Sequence, residues 1–298
     1  MRKPDFFIVG APKCGTTALN DYLAGHPEIF MAQKEIHYFG SDLGLTQAPM
    51  TESEYVEYFS EGKEKKLWGE SSVWYLYSKN AAREIKSFAP DARIIIMLRE
   101  PASMLYSLHA QHLFDGNEDR RDFKKAISLD SERKRGKSLP RSRDFKQLPS
   151  YLETARYTEQ VKRFLDSFGR ERVRILLFEE LKTNPEKTFS ELLEFLNVSP
   201  WRPERFDLIN SRKKYRSYSF HRLFKTPGPL FRSMIRLAIP FRKFRSALSD
   251  RIYDWNLSEG SGKKMDEETK NFLRSEFREE NLSLSQLIQK DLKAWIDD

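Results

Sequence analysis

Apolar residues fall along this chain in two kinds of run. The first is short and unbroken: Phe6-Phe7-Ile8-Val9, Arg93 to Leu98 (RIIIML) and Val173 to Phe178 (VRILLF). Such runs, rich in β-branched and aromatic residues, suit strands buried on both faces. The second kind recurs at helical spacing. Leu19, Tyr22 and Leu23 follow Thr16 and Thr17, either of which can cap a helix, and Gly25-His26-Pro27 ends it. Further helices are predicted over Ala81 to Phe88, ahead of the turn Ala89-Pro90-Asp91. Another follows Glu100-Pro101, with Met104, Leu105, Leu108 and His112 on recurring turns. A long amphipathic helix is expected from Tyr151 to Phe168, one over Pro185 to Leu196, and a helix pair from Asp266 to Trp295. Strands alternating with helices predict an α/β fold of three layers, with a central parallel sheet flanked by helices.

Two regions depart from that pattern within what reads as a single domain over residues 1–298. Residues 116–149 are charged and poorly periodic, a helix and loop expected over one end of the sheet. Residues 202–251 carry fourteen Lys or Arg against Glu204, Asp207 and Asp250, with Tyr, Phe and Leu interleaved. This basic segment has three readings: a surface for an anionic glycan, an amphipathic stretch (LFRSMIRLAIPFRKFRSAL) on an anionic membrane, or a solvated helix face whose arginines cover apolar surface.

The formal charge of +8 and pI near 9.3 predict an anionic partner without choosing among them. The single cysteine, Cys14, excludes an internal disulfide and a Cys-rich metal site, and fits a reducing compartment. Phe6 to Val9 is too short for a signal-peptide core or a membrane span, so the reading is a soluble, cytoplasmic chain.

The first strand runs into Gly10-Ala-Pro-Lys-Cys-Gly15-Thr-Thr. A strand, a glycine turn and a helix start together present backbone N–H groups and the positive end of a helix dipole to a tetrahedral anion. Gly10 and Gly15 occupy the glycine positions of a nucleotide triphosphatase loop. Thr16, however, stands where that loop has its lysine, and Lys13 lies inside it. The strand Arg93 to Leu98 ends in Arg99 where a metal-holding carboxylate would be expected. A cation there argues for a second anionic group bound directly, and no metal site is expected.

GAPKCGTTAL resembles the 5′-phosphosulfate loop of sulfotransferases that use 3′-phosphoadenosine 5′-phosphosulfate (PAPS) and release 3′-phosphoadenosine 5′-phosphate (PAP). IIIMLREPASMLYSLHAQHL resembles their 3′-phosphate strand, loop and helix, which maps the phosphate ligands to Arg99 and Ser107. KEIHYFG resembles the segment bearing the catalytic glutamate in the glycosaminoglycan-type branch, implying Glu35. WGESSVWYL, ARYTEQVKRFLDSFG and ILLFEELKTNPEKTFSELLEFLNV follow in the family's order. One departure stands out: some glycosaminoglycan enzymes have Asp directly after the Glu-x-His-Phe-Phe run, whereas here Gly40 follows and Asp42 comes two residues later.

The resemblance implies that Lys13 bridges the 5′-phosphate and sulfuryl oxygens, with Cys14, the amides of Gly15 to Ala18 and the hydroxyls of Thr16 and Thr17 forming the loop around them. It favours Glu35 as the base, with His37 positioning the acceptor or stabilising charge. The two lie two residues apart, so an extended segment would point both the same way, and either group can take an alcohol or amine proton. Cys14 reads as a small residue filling a tight turn, with a reactive thiol as the alternative. Trp68, Glu70 and Trp74 line an acceptor cleft or belong to the core. Lys263 and Lys264, in EGSGKKMD, close over the nucleotide or are a solvated charge pair. The expected activity is sulfuryl transfer to a hydroxyl or amine of a glycan, lipid or small metabolite. The rivals are a kinase or triphosphatase with a variant loop, and a basic nucleic-acid-binding protein, for which only the interleaved Tyr215, Tyr218 and Phe220 speak.

Overall fold

The computed structural model describes residues 2–44, 50–140, 150–206, 213–215, 257–259 and 264–297. The chain forms two compact units: Met1–Leu108 with Phe145–Ile209 and Asp266–Asp298, and His109–Asp144 with Asn210–Met265.

The first unit is built on a five-stranded parallel sheet of order β2-β3-β1-β4-β5. Its strands are β1 (Phe6–Gly10), β2 (Ile29–Met31), β3 (Leu67–Ser71), β4 (Arg93–Leu98) and β5 (Val173–Leu177). Every residue of β1 is buried, as are those of β4 after Arg93, which matches their unbroken apolar runs. The helices of the two units together are α1 (Thr16–Ala24), α2 (Glu52–Glu57), α3 (Ala81–Phe88), α4 (Pro101–Asp115), α5 (Phe123–Ser128), α6 (Asp130–Lys134), α7 (Tyr151–Thr154), α8 (Tyr157–Phe168), α9 (Phe178–Thr183) and α10 (Pro185–Leu196), of which α5 and α6 belong to the second unit. After residue 264 come α11 (Glu267–Ile288) and α12 (Lys293–Ile296).

Parallel crossovers are right-handed. The step from β1 through α1 to β2 runs one way along the sheet, and the step from β3 through α3 to β4 runs the other. Right-handedness then puts α1 on one face and α3 on the opposite one. Tyr22 of α1 meets Phe189 of α10 edge to face at 5.9 Å, so these helices share a layer. The connections leaving β1 and β4, neighbours in the sheet, run in opposite directions, and such a switch point opens a crevice at the strands' C-terminal ends.

Three expectations are corrected. The helix from Tyr151 to Phe168 is two helices: Ala155 and Arg156 break it, with Arg156 at φ −82°, ψ 82° and its guanidinium 2.6 Å from Glu276 on α11. The third strand ends at Leu177, and Phe178 opens α9. Neither Thr16 nor Thr17 caps α1; Gly15, left-handed at φ 88°, holds that position with no side-chain cap.

In the second unit, Glu118 and Arg133 form a fully buried bidentate pair at 2.6 and 2.9 Å, which anchors α6. The charged stretch is thus ordered around an internal ion pair through residue 140, and residues 141–149 lie outside the described part. Of the basic segment, Lys213–Tyr215 (β6) pairs antiparallel with Leu257–Glu259 (β7). Residues 207–212 and 216–251, including the amphipathic stretch, lie outside the described residues.

Candidate active site

The loop after β1 sits in the crevice. The amide of Ala11 donates to the Met97 carbonyl of β4 at 2.6 Å, and Leu76 N–H to the Val9 carbonyl at 2.7 Å. Gly10 has φ 151°, and a Cβ there would lie 2.7 Å from the Val73 carbonyl oxygen, so only glycine lets the chain turn. Lys13 is left-handed at φ 60° and is followed at Gly15 by φ 88°. The first helical bond runs from Leu19 N–H to the Gly15 carbonyl. The amides of Thr16, Thr17 and Ala18 therefore emerge from the first turn without intrahelical acceptors. These uncapped donors at a dipole's positive end fit a phosphate or sulfuryl group.

Cations ring this helix start. Arg99, leaving β4, donates to the Lys13 carbonyl at 3.2 Å and lies over the Phe178 ring at 4.6 Å. Lys34 Nζ donates to Thr17 Oγ1 at 2.7 Å. Ser107 lies half-buried on the second turn of α4, eight residues beyond Arg99. Cys14 is buried, its thiol donating to the Pro12 carbonyl at 3.4 Å, and burial pushes its pKa up to about 12. Burial and the raised pKa disfavour the thiolate, which supports the turn-filling reading over the reactive thiol. Lys264 is exposed, and Lys263 lies outside the described residues.

Glu35 and His37 do converge, with Glu35 Oε2 3.3 Å from His37 Nε2. The cause is not an extended segment, since both residues are left-handed, at φ 60° and 55°. Lys13, Glu35 and His37, the three residues assigned to catalysis from sequence, are thus three of the six non-glycine positive-φ positions in the described chain. Strain of this kind collects at functional sites. Desolvation raises the half-buried Glu35 carboxyl to about 7, with Lys34 and the Val73 amide pulling it back. It also lowers His37 to about 4, and the ring's Nδ1 has no hydrogen-bond partner among the described residues. Both groups are driven toward their neutral forms, so near neutral pH the glutamate holds a readily lost proton beside an uncharged imidazole.

The cleft reading of Trp68, Glu70 and Trp74 is corrected: all three are buried, and Glu70 has no exposed surface. Tyr55, Ser72 and Tyr75 hydroxyls all donate to its carboxylate. Sequence reasoning also missed Lys34, although it directly precedes the candidate base. Burial lowers the pKa of its ammonium, with Glu35 and Asp21 opposing.

Among the described residues no three of His, Cys, Asp and Glu cluster as a metal site, and no helix is long and apolar enough to cross a membrane.

The chain as a whole, beyond this loop and its neighbouring cations, is similar to known proteins. The structure superimposes on a crystal structure of a sulfotransferase from Alicyclobacillus acidocaldarius with a TM-score of 0.73 and 26% identity, covering all of both chains. In sequence it is 26% identical over 249 residues to human carbohydrate sulfotransferase 15, spanning 66% of this chain and 44% of that one. It is 25% identical over 313 residues to mouse bifunctional heparan sulfate N-deacetylase/N-sulfotransferase 4, spanning 98% and 31%. The chain spans less than half the length of these curated relatives. The sulfotransferase domain family matches residues 3–228, and the chain belongs to that family.

Proposed function

We propose that this chain moves the sulfuryl group of PAPS to a hydroxyl or amine of a glycan. The observation that carries the reading is the uncapped start of α1 with two cations drawn to it. Arg99 bonds the loop carbonyl of Lys13, and Lys34, bonded to Thr17, directly precedes the proton-holding Glu35. The amides of Gly15 to Ala18 and the Thr16 and Thr17 hydroxyls would hold the 5′-phosphosulfate. Lys13 and Lys34 would offset charge on the transferring and leaving oxygens, and Arg99 with Ser107 would hold the 3′-phosphate. In its ionised form, about half of the molecules at pH 7, Glu35 takes the acceptor proton as the new bond to sulfur forms and the bond from sulfur to the 5′-phosphate oxygen breaks. The phosphate keeps that electron pair, and His37 stays neutral beside the base. Glycans are the acceptor class because the curated relatives are named as carbohydrate and heparan sulfate sulfotransferases. Family membership favours this reading over the kinase and nucleic-acid alternatives. A cytoplasmic location is proposed on the single cysteine alone.

The test is calorimetric titration with PAP in EDTA, beside ADP and ATP with Mg²⁺, followed by transfer of ³⁵S from labelled PAPS to N-desulfated heparin and to chondroitin. Metal-free binding that requires the 3′-phosphate, with label entering a polysaccharide, is expected. Preference for Mg·ATP would reject the donor, and transfer to neither polymer would reject the acceptor class.

A further inference from the structure

Glu35 and His37 belong to a segment whose backbone no local rule explains. Two of its residues are left-handed without being glycine, and the segment holds no glycine before Gly40. Such a conformation persists only where its surroundings over-determine it. The Val73 amide holds the Glu35 carboxylate and Glu84 holds Gly40, and the contacts to residues 37–39 between them trace back to one side chain.

Glu70, the fourth of the five residues of β3, has no exposed surface. Its Oε1 accepts the hydroxyls of Ser72 and Tyr75, each at 2.7 Å, and its Oε2 accepts the hydroxyl of Tyr55. Each hydroxyl that gives its proton to the carboxylate turns a lone pair elsewhere. The Ser72 oxygen accepts the backbone N–H of His37 at 3.2 Å, and the Tyr75 oxygen accepts that of Phe39 at 3.3 Å. Tyr55 stacks on Tyr38, ring centroids 4.2 Å apart and planes 10° off parallel. The next residue of β3, Ser71, takes the Glu35 amide on its carbonyl at 2.9 Å. Residues 37, 38 and 39 are therefore all fixed through groups that Glu70 orients. An apolar residue at position 70 would leave three buried hydroxyls without their acceptor and free two of them to turn away from the loop amides.

We infer that Glu70 is a positioning residue of the transfer site, acting through Ser72 and Tyr75 to hold the loop that carries Glu35 and His37. This rests on the sulfuryl-transfer reading for its purpose, but its test does not need an acceptor. Burial raises the pKa of the Glu70 carboxyl and the three hydroxyl donors oppose that rise, as expected of an acceptor kept for its geometry.

The readout is the NMR titration of the His37 imidazole, one of five histidines, in the full chain. The groups facing it are Glu35 at 3.3 Å, the Tyr75 ring at 6.4 Å and, through Ser72, Glu70, with Lys34 beside Glu35. The wild-type midpoint is expected near 4 because the held loop keeps the ring from water. In Glu70→Met and Ser72→Ala the released ring should titrate about two pH units higher, toward the ordinary value of about 6.5. Glu70→Gln, which keeps an oxygen for Ser72 and Tyr75, should stay within about half a unit of wild type. PAP affinity by calorimetry should stay within about threefold throughout. A His37 midpoint unmoved in folded Ser72→Ala and Glu70→Met, or near 6.5 in the wild type, overturns the inference. If Glu70→Met does not fold, Ser72→Ala and Tyr75→Phe carry the same test. Failure of the wild type to bind PAP would reject the donor reading while the histidine titration still reports on the loop.

Discussion

If Glu35 is the base, the rate of transfer must follow its ionisation. Desolvation lifts its carboxyl from 4.5 to about 7. At pH 5 about one molecule in a hundred then carries the base form, at pH 7 about half, and at pH 8 about nine in ten. kcat/KM for ³⁵S transfer should rise about tenfold per pH unit up to pH 6.5 and level off near pH 8. Glu35→Gln should remove both the activity and the slope. Lys34→Met removes the charge that holds the carboxyl down, so the midpoint should move upward. The same shift has a stability signature with a definite sign. The unfolded chain releases this proton near 4.5 and the folded chain keeps it to about 7, so the folded state binds the extra proton between those values. The stability this contributes is complete below about pH 4.5 and is lost as pH rises through about 7. Urea midpoints of wild type and Glu35→Gln, compared at about pH 4.5 and 8, should therefore diverge, with the wild type losing more on going to the higher pH. A carboxyl midpoint near 4.5 in the free protein, read from its ¹³C shift, would refute the burial argument.

Three further outcomes are expected. Arg99→Ala should weaken PAP about 10- to 150-fold, the worth of one charge-assisted bond at about 1.5–3 kcal/mol, and ADP far less; equal losses in calorimetry would contradict the 3′-phosphate role. Gly15→Ala should cost at least about 1–2 kcal/mol for a left-handed alanine. Its Cβ would also meet the Phe178 ring at 2.9 Å, so both the melting temperature and PAP affinity should fall. Arg133→Met strands the buried Glu118 carboxylate and should cost about 3–5 kcal/mol in urea unfolding, whereas adding Glu118→Gln should recover part of it.

The elements legible in sequence were those whose signal is local. β1, β4 and β5 are apolar runs, and α10 and α11 are amphipathic with recognisable starts at Pro185 and Asp266. β3 escaped detection because Gly69, Glu70 and Ser71 look like a loop until Tyr55, Tyr75 and Ser72, distant or beyond the strand, supply the buried acceptor's donors. β2, three residues long, has no pattern to show. The break at Arg156 has no proline or glycine to announce it; its ion pair with Glu276 comes from 120 residues away. At the site, Lys13 and Arg99 stood out by type and spacing, and Glu35 only by the resemblance of its segment. The reason Glu35 faces His37 was not legible, because left-handed backbone at non-glycine residues is imposed by contacts across the fold. Lys34 was passed over for the same reason: only the structure brings it to Thr17.

The place of β1 in the sheet also governs how the protein is made. This strand is the first in the chain yet sits in the middle of the sheet, and its two neighbours begin at residues 67 and 93. The Phe-Phe-Ile-Val run therefore has no complete ladder to join until both of those strands are available, and α1, the nearest element in sequence, can cover one face of it but neither edge. Closing such distant pairs is slow, and an uncovered aromatic and β-branched run is sticky while it waits. Yield on refolding should accordingly fall with protein concentration well before it falls with temperature. Any fragment ending before β4 will carry its most insoluble segment unpaired on one side.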